Sequence, residues 1–142
     1  MKYIYLVLIA LLCACGPYET VKITLPNGFT VKAEIADTPQ KAELGLMNRN
    51  HLGKHKGMIF PFDKDDSRLF WMKNTYINLD ILFITADKKI ASISANVPRS
   101  YKNTPQEEVA LAGGYGKYVL ELPAGTAARE NLKEGDALVF NL

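Results

Sequence analysis

The sequence predicts an α+β fold that is mostly antiparallel β, barrel- or sandwich-like, with two short helices. The first observation is a β-hairpin pattern, in which residues 18–24 and 29–36 alternate apolar and polar side chains around the turn Pro26-Asn27-Gly28. Similar short segments recur along the chain, about eight in all, and Pro, Gly and Asn separate them. Helix signals, by contrast, occur at only two places.

The first helix signal is Asp37-Thr38-Pro39, directly after the hairpin. Either Thr38 or Asp37 can act as the N-cap, and Pro39 suits the first helical position because its missing N–H group has no partner there anyway. We expect the helix to run from Pro39 to about Met47. A polar loop with one glycine should follow it.

The middle of the chain alternates between strands and turns. We expect strands at 57–62, at 68–72 after the solvated turn "DKDDS", at 79–85, and at 89–96 after the tight turn Asp87-Lys88. The segment "LDILFIT" at 79–85 carries the strongest strand signal in the chain. The strand at 89–96 should return antiparallel to it.

The C-terminal part should complete the sheet. We expect strands at 107–112 and 117–122 around a hairpin turn formed by "GGYG" at 113–116. Thr126 is then expected to cap a helix that continues through Leu132, and a closing strand should cover 137–141.

The N-terminus has the pattern of an export signal. Met1 and Lys2 form a short positive region, and the apolar run 3–12 is too short to span a bilayer comfortably. Leu12-Cys13-Ala14-Cys15 resembles the bacterial lipoprotein box. That resemblance implies cleavage after Ala14 and lipid attachment to Cys15, so that acyl chains such as palmitate hold the protein on the membrane.

This interpretation divides the chain into a signal peptide at 1–14, a lipid anchor and tether at 15–18, and a single domain at 19–142. The predicted location is the cell envelope. Gly16 differs from the Asp that commonly retains lipoproteins at the inner membrane, so the periplasmic face of the outer membrane is favoured where the organism has one.

Cysteine usage and charge exclude several classes of function. Cys13 would leave with the signal and Cys15 would be blocked, so the mature domain has neither a thiol nucleophile nor a disulfide. The formal charge is +2 and falls to about +1 without Lys2. A nearly neutral domain lacks the basic surface that nucleic-acid binding requires. We expect no nucleic-acid partner and no cofactor.

Several stretches together resemble one family. They are "ADTPQKAELGLMNR" at 36–49, "GMIFPF" at 57–62, "FWMKNTYINLDILFITAD" at 70–87, and "KYVLELPAGTA" with "LKEGDALVF" at 117–140. These stretches are similar to the uncharacterised bacterial and archaeal family called domain of unknown function 192 (DUF192). The resemblance implies a small, β-rich, usually exported domain, and it assigns no catalytic residue.

The histidines and methionines are the candidate metal ligands of the chain. His51 and His55 are four residues apart, but a glycine between them interrupts any helix that would align them. Met47, Met58 and Met72 could bind Cu(I) through thioethers, yet they do not form a Met-x-x-Met cluster. We therefore expect these methionines to pack in the core and predict no metal ligands.

The strongest candidate site is "FWMKNT" at 70–75, which contains the only tryptophan of the chain. In a strand, Phe70 and Met72 would face the core while Trp71 and Lys73 face outward. With Asn74 and Asp80, these two outward side chains could bind a sugar ring or a small anionic group. The alternative is purely structural: Asn74 and the following threonine form a turn whose amides satisfy a buried Asp80.

These residues are compatible with three functions. The leading hypothesis is a lipid-anchored, non-enzymatic module that binds a small molecule, a glycan or an envelope protein at Trp71, Lys73, Asn74 and Asp80. The alternative is an envelope hydrolase or transferase with Asp80 as base and Lys73 as electrostatic stabiliser. A third hypothesis, a metal-handling protein, depends on the methionines and histidines. No motif assigns a catalytic residue.

Overall fold

The computed structural model describes residues 18–142. The predicted signal peptide at 1–14 and the predicted lipid attachment residue Cys15 lie outside the described residues. Within residues 18–142, none of the helices has the length and apolar character needed to cross a bilayer.

Six strands and two short helices make up the described domain, with a 3-10 turn at Gln106–Glu108. The elements in chain order are β1 (Thr20–Thr24), β2 (Thr30–Ile35), α1 (Pro39–Leu44), β3 (Lys56–Trp71), β4 (Leu79–Ile84), β5 (Ile90–Val97), β6 (Leu111–Pro123) and α2 (Thr126–Arg129). The predicted α+β class, rich in antiparallel strands and with two short helices, is confirmed.

The strands form one mixed sheet in the order β1-β2-β3-β6-β4-β5. Only β2 and β3 are parallel, because α1 and the loop after it carry the chain back to the same end of the sheet. The C-terminal segment bridges to Thr24 through Val139 and to Lys89 through Ala137. The six described strands form a single open sheet, so the barrel- or sandwich-like shape stays a prediction.

The N-terminal elements form as the sequence predicts. β1 and β2 pair as an antiparallel hairpin, and the Asn27 side chain accepts a hydrogen bond from the Phe29 N–H in its turn. The Thr38 hydroxyl accepts a hydrogen bond from the Lys41 N–H and so caps α1. The helix ends at Leu44 and not near Met47, because Gly45 leaves the helical conformation with φ of 47°.

The predicted solvated turn "DKDDS" does not divide two strands, because β3 continues through it. Pro61 pairs with Tyr118 and Asp66 pairs with Gly116, so residues 62–65 lie opposite the single residue Lys117. This extra length is an irregular β-bulge, longer than the usual two residues opposite one. The sequence indicated exposure at these positions correctly but did not show that pairing resumes beyond them.

The predicted hairpin turn at "GGYG" is also wrong, since these four residues lie inside β6 and pair with 66–69 of β3. The glycines are there because β4 approaches closely. A Cβ atom on Gly116 would lie 2.5 Å from the Ile84 carbonyl oxygen, and one on Gly114 would lie 2.2 Å from the Phe83 ring. One long strand therefore replaces the two expected at 107–112 and 117–122.

The C-terminal predictions need three further corrections. The N-cap of α2 is Gly125, and Thr126 is the first helical residue, whose hydroxyl donates a hydrogen bond to the Pro123 carbonyl. The helix ends at Arg129, before Leu132. The expected closing strand at 137–141 is reduced to two isolated bridges.

The strand β4 is buried on both faces of the sheet. The α2-side core contains Leu82 and Ile84 of β4 and is covered by α2 and the C-terminal segment. The α1-side core contains Ile81 and Phe83 of β4 and is covered by α1 and the loop after it. Burial on both faces explains why β4 has the strongest apolar run in the sequence.

The close approach of β4 to β6 can be tested by adding one methyl group. We expect Gly116→Ala to destabilise the fold by about 3 kcal/mol, because its Cβ would collide with backbone atoms of Ile84. Gly113→Ala is the matched control, because its Cβ would meet its nearest atoms at an ordinary 3.7 Å. For this control, urea unfolding should show a free energy of unfolding within about 0.5 kcal/mol of the wild-type value. Equal effects of both substitutions would contradict the interpretation.

Candidate functional site

The "FWMKNT" stretch begins at the end of β3, where side chains alternate between the core and the surface. Phe70 packs against the α1-side core and Met72 is buried within it. Trp71 is 43% exposed, and Lys73 is exposed with its Nζ atom 4.8 Å from the centroid of the Trp71 ring. The predicted alternation is confirmed, so the indole and the ammonium face outward together.

The residues after Trp71 form a tight turn. Asn74 has a positive φ of 50°, and its carbonyl oxygen accepts a hydrogen bond from the Asn48 N–H. Thr75 is buried, and its hydroxyl donates to the Lys73 carbonyl at 3.2 Å. These bonds confirm the predicted turn chemistry.

Trp71, Lys73 and Asn74 line one cleft, which we call the outer cleft. Its volume is about 120 Å³, and its other walls come from the loop before β6, with Tyr101, Lys102, Thr104, Gln106 and Val109. The ring of Tyr101 stacks on that of Tyr76 with 5.6 Å between centroids. Among residues 18–142, two ammonium groups and no carboxylate line this cleft, so it suits a ligand with an anionic or hydroxyl-rich group.

Trp71 also belongs to a ridge of exposed apolar side chains on β3 and β6. Trp71 pairs with Leu111, Leu69 pairs with Gly113, and Tyr115 pairs with Ser67, so these side chains share one face. Leu69, Trp71, Leu111 and Tyr115 are all exposed. We call this row the apolar ridge; it extends along the strands from the outer cleft.

Asp80 is not part of the outer cleft, which corrects its assignment as a ligand-binding residue. It is fully buried in β4, where Oδ1 accepts from the Asn96 N–H at 2.8 Å and Oδ2 accepts from the Ala127 N–H at 2.7 Å. The carboxylate therefore joins β4 to β5 and α2. The sequence predicted a buried, amide-bonded Asp80 but named the wrong amides, those of Asn74 and Thr75.

The histidines and methionines occupy separate environments. His51 lines a shallow groove of about 520 Å³ whose Glu34 and Arg49 bind each other through two 2.7 Å hydrogen bonds. His55 stacks on the Phe29 ring, and Met58 and Met72 are core residues. Within residues 18–142, no group of three or more His, Cys, Asp or Glu side chains is placed to hold a metal ion.

A second, smaller cavity also has Trp71 in its lining, and we call it the inner cavity. It has a volume of about 30 Å³ and lies between the end of α1, the strand β3 and the strand β6. Apolar side chains form most of its wall, namely Leu44, Leu46, Met47, Phe60, Phe70 and Trp71. Its polar lining includes Glu43, Thr75 and Glu121.

Glu121 is the most unusual ionisable group of the described chain. It lies in β6 between Met58 of β3 and Ile81 of β4, and only 6% of it is exposed. Its Oε2 atom has no hydrogen-bond partner among the described residues. Burial raises the pKa of Glu121 to about 8, although the positive charge of Arg49 acts in the opposite direction. The carboxyl group is therefore mostly protonated at neutral pH.

Sequence reasoning missed Glu121. The sequence pattern predicts a strand over "YVLELP" and indicates no role for its single acidic residue. A carboxylate inside an apolar run could have identified Glu121 as a candidate, because such a residue either faces water on an edge strand or is buried in a central one. Only the sheet order, which places β6 between β3 and β4, decides between the two.

The ionisation of Glu121 predicts a pH-dependent stability. An unfolded glutamate ionises near pH 4.5 and the folded one near pH 8, so the unfolded state gains relative stability as pH rises between these values. We expect the wild type to lose about 1.4 kcal/mol per pH unit relative to Glu121→Gln between pH 5 and pH 8. Urea unfolding at each pH measures this difference.

The exposed Glu43 provides the matched control. Glu43→Gln should follow the pH profile of the wild type, because the side chain lies on the exposed face at the end of α1. Parallel pH profiles for the wild type and Glu121→Gln would show that Glu121 is ionised in the folded protein.

Comparisons with known proteins agree with this fold. A putative transcription regulator from Sinorhizobium meliloti 1021 is 34% identical, with a TM-score of 0.73 over 88% of this chain and 96% of that chain. A protein of unknown function from Novosphingobium aromaticivorans DSM 12444 is 35% identical, with a TM-score of 0.69 over 86% of this chain and 84% of that chain. No curated protein matches the chain.

The family model DUF192, described as an uncharacterized ACR, matches residues 22–140. That range includes every strand from β2 to β6 and both cavities beside Trp71. It also includes all the stretches by which the sequence resembles this family. The chain therefore belongs to the DUF192 family.

Proposed function

We propose that this protein is a lipid-anchored, non-enzymatic module of the cell envelope that binds a small molecule, glycan or envelope protein at Trp71. The observation that carries the proposal is the position of the indole, which is exposed and lines the outer cleft. A buried indole without an adjoining cavity would have contradicted it. Lys73 and Asn74 line the same cleft, as a ligand-binding role for all three requires.

The chemistry of the outer cleft favours a glycan or another small ligand with an anionic group. Trp71 and Tyr101 offer aromatic surface for the apolar face of a sugar ring. Lys73 and Lys102 offer positive charge, and Asn74 and Thr104 offer hydrogen-bonding groups. An envelope protein would have to cover the apolar ridge as well, because the ridge is continuous with the cleft.

The position of Asp80 weighs against the alternative of a hydrolase or transferase. A general base must reach a substrate proton, whereas both oxygens of Asp80 bind backbone amides inside the core. Burial of Met58 and Met72 likewise weighs against a metal-handling protein. Neither alternative has an observation in its favour.

The envelope location in this proposal depends on the sequence of the N-terminus. The lipoprotein box ends at Cys15, and the domain begins a few residues later at Glu19. A tether this short would hold the domain close to the membrane surface. The periplasmic face of the outer membrane is the proposed position where an outer membrane exists.

The binding proposal can be tested by intrinsic fluorescence, because Trp71 is the only tryptophan. Titration with soluble peptidoglycan oligosaccharides should shift its emission in a saturable manner. Since tryptophan cannot report in Trp71→Ala, calorimetry should measure that variant, and we expect at least about a tenfold loss of affinity. Tyr115→Ala, an exposed aromatic on the same ridge outside the cleft, should bind normally. Unchanged binding by Trp71→Ala would refute the proposal.

The lipid anchor has an independent test. Mass spectrometry of the protein purified from membranes should find a mature N-terminus at Cys15 that carries acyl chains. Cys15→Ser should abolish acylation and release the protein from the membrane fraction. An unmodified Cys15, or cleavage at another bond, would overturn the anchoring proposal and leave the binding proposal untouched.

A further inference from the structure

The inner cavity brings together the stretches by which the sequence resembles its family. Leu46 comes from "GLM", Phe60 from "GMIF", Trp71 and Thr75 from "FWMKNT", and Glu121 from "KYVLELP". The outer cleft is lined by only one of these stretches, together with the loop before β6. The inner cavity is therefore a second candidate site, distinct from the cleft of the proposed function.

The charge of the inner cavity is opposite to that of the outer cleft. Glu43 and Glu121 are the only ionisable side chains among the described residues that line it, and no lysine, arginine or histidine does so. Glu121 is almost completely buried, and its Oε2 atom lacks a partner among the described residues. A buried carboxyl group without a partner destabilises a fold. A cation bound in the cavity beside it would reduce this destabilisation, because it would pair with the carboxylate.

The aromatic side chains around the cavity also favour a cation. Phe60 and Phe70 meet edge to face, with their ring centroids 4.9 Å apart, and Trp71 completes the aromatic part of the wall. Aromatic faces carry partial negative charge and attract ammonium groups. The protein itself uses this attraction, since the Lys73 ammonium lies over the Trp71 ring.

The geometry points to the inner cavity as a binding subsite for the primary ammonium group of a small amine, which would donate hydrogen bonds to Glu121. A volume of about 30 Å³ is close to the space that one water molecule occupies, and an ammonium group is of similar size. The carbon chain of the amine would lie against Leu44 and Trp71 toward solvent. A divalent metal ion would need about six oxygen ligands, which two carboxyl groups do not supply.

Binding of the ammonium is coupled to release of a proton. The O–H bond of Glu121 breaks, the proton passes to the solvent, and the carboxylate then accepts an N–H of the ligand. Because burial raises the pKa of Glu121 to about 8, this release is required at neutral pH. The other charged groups that act here are Glu43 at the end of α1 and Arg49, which is bound to Glu34 of β2. The facing residues Met58 and Ile81 are uncharged.

Isothermal titration calorimetry with propylammonium tests this inference on the mature protein in nonionic detergent. We expect saturable binding at millimolar concentration, with affinity rising about tenfold from pH 6 to pH 7 and levelling above pH 8. Buffers with different ionisation enthalpies should report the release of nearly one proton at pH 7. The uncharged 1-propanol and the larger tetramethylammonium should bind at least about tenfold more weakly.

Two variants locate the site. Glu121→Gln retains the shape of the protonated acid and should fold, yet it should lose at least about tenfold in affinity and all of the pH dependence. Glu134→Gln should change affinity by less than about threefold, because Glu134 is exposed and does not line the inner cavity. Equal binding of 1-propanol, unchanged binding by folded Glu121→Gln, or no saturable binding would each overturn the inference. Failure of glycan binding at the outer cleft would not affect it.

Discussion

The pairing of β3 with β6 is the interaction on which the rest of the structure depends. One end of this ladder places Trp71 beside Leu111 at the surface, and the other places Met58 beside Glu121 in the core. Between these ends the bulge at residues 62–65 shifts the register, and Gly114 and Gly116 allow β4 to approach β6. Because both cavities use residues of this ladder, a change in its register would move their walls together.

Trp71 has an unusual position because it lines two cavities of opposite charge. The outer cleft has Lys73 and Lys102, whereas the inner cavity has Glu43 and Glu121. Charges of one sign focused in a low-dielectric recess select ligands of the opposite sign, so the two cavities are expected to take different chemical groups.

The two buried acids of the described sheet, Asp80 and Glu121, differ in their hydrogen-bond partners. Asp80 is bonded to two amides and stabilises the fold. The Oε2 atom of Glu121 has no partner among the described residues, and this carboxyl group destabilises the fold increasingly as pH rises from about 4.5 to 8.

Much of the local structure could be predicted from the sequence because it depends on neighbours along the chain. The β1–β2 hairpin, the Thr38 cap of α1, the strand β4 and the outward position of Trp71 all follow from turn residues or from alternation. The two segments wrongly predicted as turns have one cause of error in common. "DKDDS" and "GGYG" have the composition of turns, yet they lie in two strands that pair with each other at a distance. Local composition describes exposure and flexibility, but it does not report which strand lies alongside.

The sequence by itself determined the α+β class, the candidate residues Trp71, Lys73 and Asn74, and the expectation of a lipid anchor at Cys15. Each of these depends on side-chain type or on spacing over a few residues. Tertiary structure alone decided that Asp80 belongs to the core, that Trp71 lines two cavities, and that Glu121 is buried with an Oε2 atom that lacks a partner among residues 18–142. The physical reason is the sheet order. Desolvation of a carboxyl group depends on the strands and helices packed around it, and these come from distant parts of the chain.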